Sequence, residues 1–223
     1  MPETVPERAD HHAWTPVARS PLALVGTPTV TNGWEYSAGA VAGPVVVADR
    51  SAMSKVHIRV ATNPAVTSAL GTRFGRAVWA GDRLIVGSGP DEWLVLGPPG
   101  KAAEIAGEFG DAVRGVDPGS MAVVDLTHGR ALVRLSGPET LTLLRRVTAV
   151  DLDDRLVPNG SALRTSLARV VTDLIRDDVQ GSPSYLVHCE RSSGRYLQQS
   201  LLAAGSDLGA VGGASAPAWP DHH

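Results

Sequence analysis

The order of hydrophobic patterns between residues 121 and 202 constrains the fold more than any other feature of the sequence. Residues 121–126 are a short apolar run, and residues 130–136 alternate as a half-buried strand should, so both predict strands. Gly137-Pro138-Glu139 then favours a helix start, because proline misses no amide hydrogen bond in the first turn and glutamate suits the positive end of the helix dipole. A long strand, a second strand and a final helix follow. The order is β-β-α-β-β-α.

The first half of the chain repeats this order loosely. VADRSAMSKVHIRVATNPAVTSAL (residues 47–70) aligns with VVDLTHGRALVRLSGPETLTLL (123–144), and EWLVLGPPGKAAEIAGEFG (92–110) aligns with SYLVHCERSSGRYLQQSLL (184–202). Asp49-Arg50-Ser51 is thereby placed against Asp125-Leu126-Thr127. We interpret this as a degenerate duplication of one unit of roughly 65 to 85 residues; a chance alignment of two α+β segments is the alternative. The predicted fold class is α+β, with two pseudo-repeated units whose sheets are covered by helices.

The domain division follows from these units and from composition. Residues 1–20 are rich in Pro, Glu and His without a period, and predict a disordered arm. A first α+β unit is expected over 21–110, a Gly-, Asp- and Pro-rich linker over 111–120, a second α+β unit over 121–205, and a C-terminal tail over 206–223. Within the first unit, strands are predicted at 44–49, 55–61, 83–87 and 92–96, and helices at 63–70 and 101–109.

Composition excludes several classes of protein. Apolar residues make up 43% and charged residues 19%, which is typical of a globular protein. The net charge of −3 gives no electrostatic reason to expect nucleic acid or an anionic membrane as partner. The longest nearly apolar run, residues 38–48, is too short to span a bilayer, and the polar N-terminus does not resemble a signal peptide. A single cysteine, Cys189, excludes an intrachain disulfide. We therefore expect a soluble, cytoplasmic protein.

The predicted long strand carries two charges in an apolar row. Period two places Arg169 and Asp173 on one face with Leu167, Val171 and Ile175. The two charges lie roughly 13 Å apart along a strand and cannot pair with each other. If that face is buried, each charge needs a partner, because an unpaired buried charge costs several kcal/mol. One interpretation is that the partners lie within the fold or that the face is partly in water, and the other is that a neighbouring subunit supplies the partners.

A family resemblance appears in the second unit. DLTHGRALVRLSGPETLTLL, VDLDDRLVPNGSALRTSLARVVTDLI and YLVHCERSSGRYLQQSLL resemble the folate-binding aminomethyltransferase superfamily, which includes the glycine-cleavage T-protein. Within it, ALRTSLARVV and HCERSSGRYL are most similar to the gamma subunits of heterotetrameric sarcosine oxidases. The resemblance is good over about residues 120–203 and weak over 45–110.

The resemblance implies an accessory subunit of a larger oxidoreductase. Such complexes demethylate sarcosine oxidatively to glycine, pass the methylene group to tetrahydrofolate and form hydrogen peroxide. FAD, FMN, NAD and the tetrahydrofolate site are then expected on the alpha and beta subunits, and zinc on the delta subunit. No cofactor is expected on this chain alone. A stand-alone folate-binding protein and a subunit of a related N-methyl amino acid dehydrogenase are the alternatives.

The chain departs from the superfamily where chemistry would be expected. The T-protein pattern is Gly-Gly-x-x-Asp-Asp-Leu, and an aspartate in it assists methylene transfer. Here residues 168–174 read Ala-Arg-Val-Val-Thr-Asp-Leu, so that only Asp173 remains. Without the glycines, the backbone loses the freedom that permits close approach of a ligand. Asp173 is therefore a weak candidate for folate binding, and no catalytic residue is assigned.

Three other groups of residues do not form a phosphate-binding, nucleophilic or metal site. Residues 97–102 lack the first glycine and the hydroxyl of a phosphate loop. His188 and Cys189 are adjacent in a strand and point to opposite faces, so they do not form a nucleophile and base. The histidine pairs at residues 11–12 and 222–223 do not amount to a metal site.

Aromatic residues favour a role in assembly. Trp14 and Trp219 lie in polar, proline-rich tails that cannot form a core. Amphipathic aromatic side chains on polar segments often anchor protein interfaces. The interface candidates are Trp14, Arg169, Asp173 and Trp219, and we hypothesise that the tails become ordered on partner subunits.

Overall fold

A computed structural model describes residues 16–31, 33–37, 41–60, 68, 70–112 and 121–213. Within these residues the chain forms thirteen strands and three α-helices of eight residues or more. The strands are β1 (Pro28–Thr31), β2 (Trp34–Ser37), β3 (Val45–Asp49), β4 (Ser54–Val60), β5 (Ala77–Ala80), β6 (Arg83–Gly89), β7 (Glu92–Gly97), β8 (Met121–Asp125), β9 (Arg130–Ser136), β10 (Ala162–Leu167), β11 (Val170–Arg176), β12 (Tyr185–Glu190) and β13 (Ala210–Gly213). The helices are α1 (Ala102–Ala112), α2 (Thr140–Val147) and α3 (Gly194–Ala204).

Two large sheets exchange strands. One has five strands in the order β5-β6-β7-β4-β8, and the other has six in the order β10-β11-β12-β9-β3-β13. Neighbours are antiparallel except for β13, which runs parallel to β3. Strand β3 precedes the predicted linker but joins the sheet of the second half, whereas β8 follows the linker and joins the sheet of the first half. Asp111 and Ala112 belong to α1, and residues 113–120 lie outside the described residues. The predicted domain bounds stay a prediction.

Matching hydrogen bonds fix the two crossovers where strands are exchanged. At each crossover an aspartate accepts from the amide two residues on, and the hydroxyl of that second residue accepts an amide of the other half. The bonds are Ser51 N to Asp49 Oδ1 (2.8 Å), Leu132 N to Ser51 Oγ (3.2 Å), Thr127 N to Asp125 Oδ1 (2.8 Å) and Lys55 N to Thr127 Oγ1 (3.1 Å). The backbone closes both crossovers, from Arg50 N to Leu132 O and from Leu126 N to Lys55 O, each at 2.8 Å.

The elements stack as helix, sheet, sheet and helices. Helix α1 packs on the five-stranded sheet through Ala102 and Ile105. Helices α2 and α3 pack on the six-stranded sheet through Leu143, Leu144, Leu197 and Leu201. A third core lies between the two sheets. It consists of Met53, Ala77, Leu84, Val86, Leu94, Leu96, Leu132, Ala162, Ile175 and Leu186. The α+β class is confirmed.

Strand β9 corrects the expectation of a half-buried strand. Val133 and Leu135 face α2 and α3, as their alternation predicts. The opposite face is buried as well, since Leu132 is fully buried and Arg134 is only 3% exposed. The five-stranded sheet covers this face, and the alternation of a single strand contains no information about a second sheet.

The single long strand predicted over residues 163–175 is wrong. The chain forms a hairpin in which β10 and β11 pair from Ala162–Ile175 to Leu167–Val170. Ala168 and Arg169 form its two-residue turn with φ values of 47° and 69°. Two-residue hairpin turns with positive φ favour Asn and Gly, so the sequence carries no turn signal here. Strands β1, β2, β5 and β13 were also missed, and the helix predicted over 63–70 lies mostly outside the described residues.

Candidate functional site

Asp173 lies in a polar row that crosses three strands of the six-stranded sheet. It is opposite Arg164 on β10 and opposite His188 on β12 in the strand register. Arg164 Nε donates to Asp173 Oδ1 at 2.9 Å, and His188 Nδ1 lies 3.0 Å from Asp173 Oδ2. Asp173 thus obtains both counter-groups from within the fold, which is the first of the two alternatives derived from the sequence.

Arg169 does not share this row. It is exposed at the turn of the hairpin, four residues from Asp173 but beyond the layer between the sheets. Because the turn reverses the chain, Arg164 rather than Arg169 faces the carboxylate. The prediction that Arg169 and Asp173 share one apolar face arose because residues 163–175 were treated as one strand instead of a hairpin.

Electrostatics favour a charged Asp173 beside a neutral His188. Burial raises the pKa of Asp173, but hydrogen bonds from His188 and Arg164 outweigh it and the pKa is lowered overall. Complete burial lowers the pKa of His188, and the opposing effect of Asp173 does not compensate. A neutral His188 donates from Nδ1 to the carboxylate, which leaves Nε2 as an acceptor. That nitrogen is buried and has no hydrogen-bond partner among the described residues.

The row lacks the parts of a nucleophilic site. A base needs a nucleophile within hydrogen-bond reach, and no hydroxyl or thiol of the described residues bonds His188 Nε2. Cys189 packs into the core on the opposite side of the sheet, and burial raises the pKa of its thiol to about 11. The histidine and aspartate therefore orient each other between the sheets, and Arg164 supplies the counter-charge of Asp173.

A second polar cluster, not anticipated from the sequence, lies further along the same layer. Arg134 donates to Asp177 Oδ2 at 2.7 Å and to Ser184 Oγ at 2.9 Å, and Trp79 Nε1 donates to Asp177 Oδ1 at 2.8 Å. Arg134 and Asp177 are 3% and 6% exposed. The only sequence signal was an arginine in a strand whose other residues are mostly apolar. The cluster joins the two sheets at the side where β5 lies near β10.

A cleft of about 460 Å³ opens beside this cluster. Its wall carries aromatic, cationic and anionic side chains, and its volume lies within the range of small-ligand sites. Trp79 and Arg76 line it from the five-stranded sheet, and Asn159, Arg176 and Asp178 line it from the other. Arg176 bonds Asp178 and Asp154, so its charge is neutralised within the fold.

Lys55 is another buried basic side chain between the sheets. It is fully buried, and Nζ donates to Ser51 O and Met53 O, both at 2.7 Å. Burial lowers its pKa from 10.5 to about 7, although Asp49 and Asp125 oppose the shift. The Lys55 side chain thus links the backbone carbonyls of the first crossover by hydrogen bonds.

The remaining predictions concern the two tail tryptophans, metal binding and membrane spans. Trp14 and Trp219 lie outside the described residues, so their interface role stays a prediction. In the part of the chain that the structure describes, no group of three or more His, Cys, Asp or Glu side chains could hold a metal ion. None of the described helices is long and apolar enough to cross a membrane.

Comparison with known proteins gives a consistent family. Residues 57–205 match the family described as "Sarcosine oxidase, gamma subunit family". The sarcosine oxidase subunit gamma of Arthrobacter sp is 32% identical over 151 residues, which cover 64% of this chain and 72% of the relative. That of Corynebacterium sp. (strain P-1) is 30% identical over 151 residues with the same coverage.

Solved structures agree on the fold. A chain of the heterotetrameric sarcosine oxidase from Corynebacterium sp. U-96 in complex with pyrrole 2-carboxylate matches with a TM-score of 0.65 and 22% identity, covering 77% of this chain and 90% of that one. The glycine cleavage system aminomethyltransferase T from Bartonella henselae matches with a TM-score of 0.62 and 13% identity, covering 84% and 55%. The α+β fold is thus that of T-protein-like chains.

Proposed function

This chain belongs to the sarcosine oxidase gamma subunit family, and we propose that it is the gamma-type accessory subunit of a sarcosine oxidase complex. Its role is to support the larger subunits, which carry out the oxidative demethylation of sarcosine to glycine. The methylene group passes to tetrahydrofolate, and hydrogen peroxide is formed. The family match over residues 57–205 is the observation that carries the proposal.

The partners in this proposal are the alpha, beta and delta subunits of a cytoplasmic complex. FAD, FMN, NAD and tetrahydrofolate belong to the larger subunits, and zinc to the delta subunit. The likeness to a chain of a heterotetrameric enzyme supports assembly with other subunits. Trp14, Trp219 and Arg169 are the proposed contact residues on this chain, whereas the candidate Asp173 has its partners within the fold.

Tetrahydrofolate does not fit at Asp173. Both carboxylate oxygens are engaged, one by Arg164 and one by His188. Asp173 is only 9% exposed, and strands pair on both sides of β11. Ala168 and Arg169 add side chains where the superfamily pattern has glycine. These observations favour an accessory role for this chain over a site of methylene transfer to tetrahydrofolate.

We further propose that the two halves arose by duplication. The strand orders β5-β6-β7-β4-β8 and β10-β11-β12-β9-β3 place the elements of each half in the same sequence. The aspartate and hydroxyl pairs at the crossovers, Asp49 with Ser51 and Asp125 with Thr127, make equivalent hydrogen bonds. Such agreement in both topology and local bonding supports a common ancestor for the halves.

Purification of the tagged chain from its native cells tests the function. We expect the chain to bring with it larger polypeptides that show flavin absorbance and release peroxide on addition of sarcosine. A lone monomer with no flavoprotein attached would contradict the proposal.

Titration with tetrahydrofolate distinguishes the accessory subunit from the alternative of a stand-alone folate-binding protein. The isolated chain should show no binding in the micromolar range by calorimetry. Binding that disappears in Asp173→Ala would favour an independent folate-binding protein.

Limited proteolysis tests the proposed contact segments. Cleavage near Trp14 and Trp219 should be fast in the isolated chain and slow in the complex. Equal cleavage in both samples would remove these residues from the interface.

A further inference from the structure

An exposed phenylalanine stands at the edge of the five-stranded sheet. Phe74 is one of only two phenylalanines in the chain and is 57% exposed. It lies between Arg73, which is exposed, and Arg76, which is half-buried. We call residues 72–78 the Phe74 ridge. A large aromatic side chain in water flanked by arginines has the composition of an interface hot spot.

The backbone under the Phe74 ridge is held firmly. Gly75 N donates to Gly87 O at 3.0 Å, and Gly87 N donates to Arg76 O at 2.8 Å. A Cβ on Gly87 would lie 2.1 Å from Arg73 O, so only glycine permits this approach. Trp93 Nε1 fixes Thr72 O at 3.0 Å. Binding therefore requires little ordering of the ridge, which reduces the entropic cost of association.

Concave surfaces lie on both sides of the ridge. One is the cleft of about 460 Å³ described above, and the other is a groove of about 450 Å³. Arg76 and Val78 line both, so the two form one continuous surface. Thr72 lines the groove, and its buried Oγ1 has no hydrogen-bond partner among the described residues. A buried oxygen in this position is suited to a group brought by a ligand.

The surface carries an excess of positive charge. Among the described residues, Arg76 donates only to neutral oxygens, Ser161 Oγ at 3.4 Å and Asn159 O at 3.3 Å. Arg73 makes no ion pair within the described part of the chain. The carboxylates of the cleft, Asp177 and Asp178, are already bonded to arginines. The two ridge arginines are therefore free to attract an anionic partner.

We propose that the Phe74 ridge is the docking surface for an acidic segment of a larger subunit of the complex. This inference rests on the proposed function. Carboxylates of that segment pair with Arg73 and Arg76, and an apolar side chain packs on Phe74. A donor from the same segment satisfies Thr72 Oγ1.

The test uses the co-expressed complex with a tag on this chain. The variants are Phe74→Ala and the charge reversal Arg73→Glu with Arg76→Glu. Matched controls on α3 are Tyr196→Ala, at a tyrosine that is 53% exposed, and Arg195→Glu, at an exposed arginine. Association is measured as a dissociation constant at low and high salt. Thermal melts of the isolated chains check that folding is unchanged.

Phe74→Ala is expected to weaken association at least about tenfold. The charge reversal should weaken association further and reverse its salt dependence, because salt screens the repulsion between like charges. Both controls should stay within about twofold. Wild-type binding with unchanged affinity in the ridge variants would overturn the docking surface and leave the proposed function standing. Failure of the wild-type chain to associate at all would overturn both. A dimer of the isolated chain that Phe74→Ala converts to a monomer would assign the ridge to a second copy instead.

Discussion

Two register-matched rows of side chains face each other between the sheets, and their chemistry is opposite. The row of the five-stranded sheet consists of Trp79, Leu84, Leu96 and Lys55. The row of the six-stranded sheet consists of Arg164, Asp173, His188 and Leu132. The first row is mostly apolar and ends in Lys55, whereas the second is mostly polar and ends in Leu132. We call Lys55 and Leu132 the inner ends of the rows.

The difference shows how one architecture satisfies two kinds of interior. Leu84 and Leu96 need only close packing, and they obtain it from the other sheet. Asp173 and His188 need specific partners, because a buried polar group without one is costly. Lys55 occupies the place of Leu132, and two backbone carbonyls at the first crossover accept the hydrogen bonds of its Nζ. Changes to one row should therefore have effects that the same changes in the other row do not.

The largest effect on stability is expected at Arg134 on β9, two residues after Leu132. The equivalent position on β4, two residues after Lys55, is His57. Asp177→Ala leaves the Arg134 charge buried and should lower the free energy of unfolding by about 3–5 kcal/mol. Glu92→Ala removes the carboxylate that lies 3.8 Å from His57 Nε2 and 3.9 Å from Arg59 Nε. The His57 and Glu92 side chains are 26% and 24% exposed, so this change should cost less than about 1 kcal/mol. Urea unfolding of both variants measures the contrast. Equal losses would mean that the two halves do not differ in burial of charge.

Lys55 should make stability depend on pH. Its pKa in the folded chain is about 7, below the ordinary 10.5, so the unfolded chain binds a proton that the folded chain releases. Stability therefore rises with pH from about 7 towards 10, by at most about 1.4 kcal/mol per pH unit. Lys55→Met, which makes this row resemble the one that ends in Leu132, should remove this contribution. Unfolding at pH 7 and 9 compares the two chains, and parallel pH profiles would refute the assignment.

The Asp173 and His188 pair should tolerate loss of both members better than loss of one. Asp173→Leu alone leaves the His188 N–H buried without an acceptor and should cost about 1–3 kcal/mol. The double change Asp173→Leu with His188→Leu copies Leu84 and Leu96 and should recover most of that loss. Additive costs in a double-mutant cycle would show that the pair is not coupled.

The smallest effect is expected at the turn between β10 and β11. Arg169 adopts a φ of 69°, which glycine occupies without strain. Arg169→Gly should raise the free energy of unfolding by about 0.5–1 kcal/mol. The turn between β5 and β6 has Gly81 at φ 62° in its first position, which Ala168 occupies in the turn between β10 and β11. Gly81→Ala places a side chain at positive φ, which is the opposite kind of change, and should destabilise. A lower melting temperature for Arg169→Gly would contradict this reading of the turn.

The sequence predicted most strands because their patterns are local. The alternation over residues 130–136 and the apolar runs around Val56 and Val95 need no knowledge of the rest of the fold. The hairpin at Ala168 and Arg169 was hidden because neither residue is a turn former, and tertiary pairing imposes the positive φ. Strand β5 was missed because four residues between glycines are too few to show a period.

The site was predictable only in part. Asp173 stood out as a charge in an apolar strand, and the alternative of partners within the fold is confirmed. Its partners were not identified, since Arg164 and His188 come from other strands and only the register brings them together. Arg134 and Asp177 are 43 residues apart, and no local pattern relates them.

The exchange of β3 and β8 has a consequence for how the chain can be divided. A protease cut between the halves would leave each fragment with a sheet that needs a strand from the other, so the fragments should remain bound as a noncovalent pair. Neither half is therefore expected to fold alone as an autonomous module. Truncation at the midpoint should therefore be far more damaging than truncation outside β1 and β13, which leaves every strand of both sheets in place.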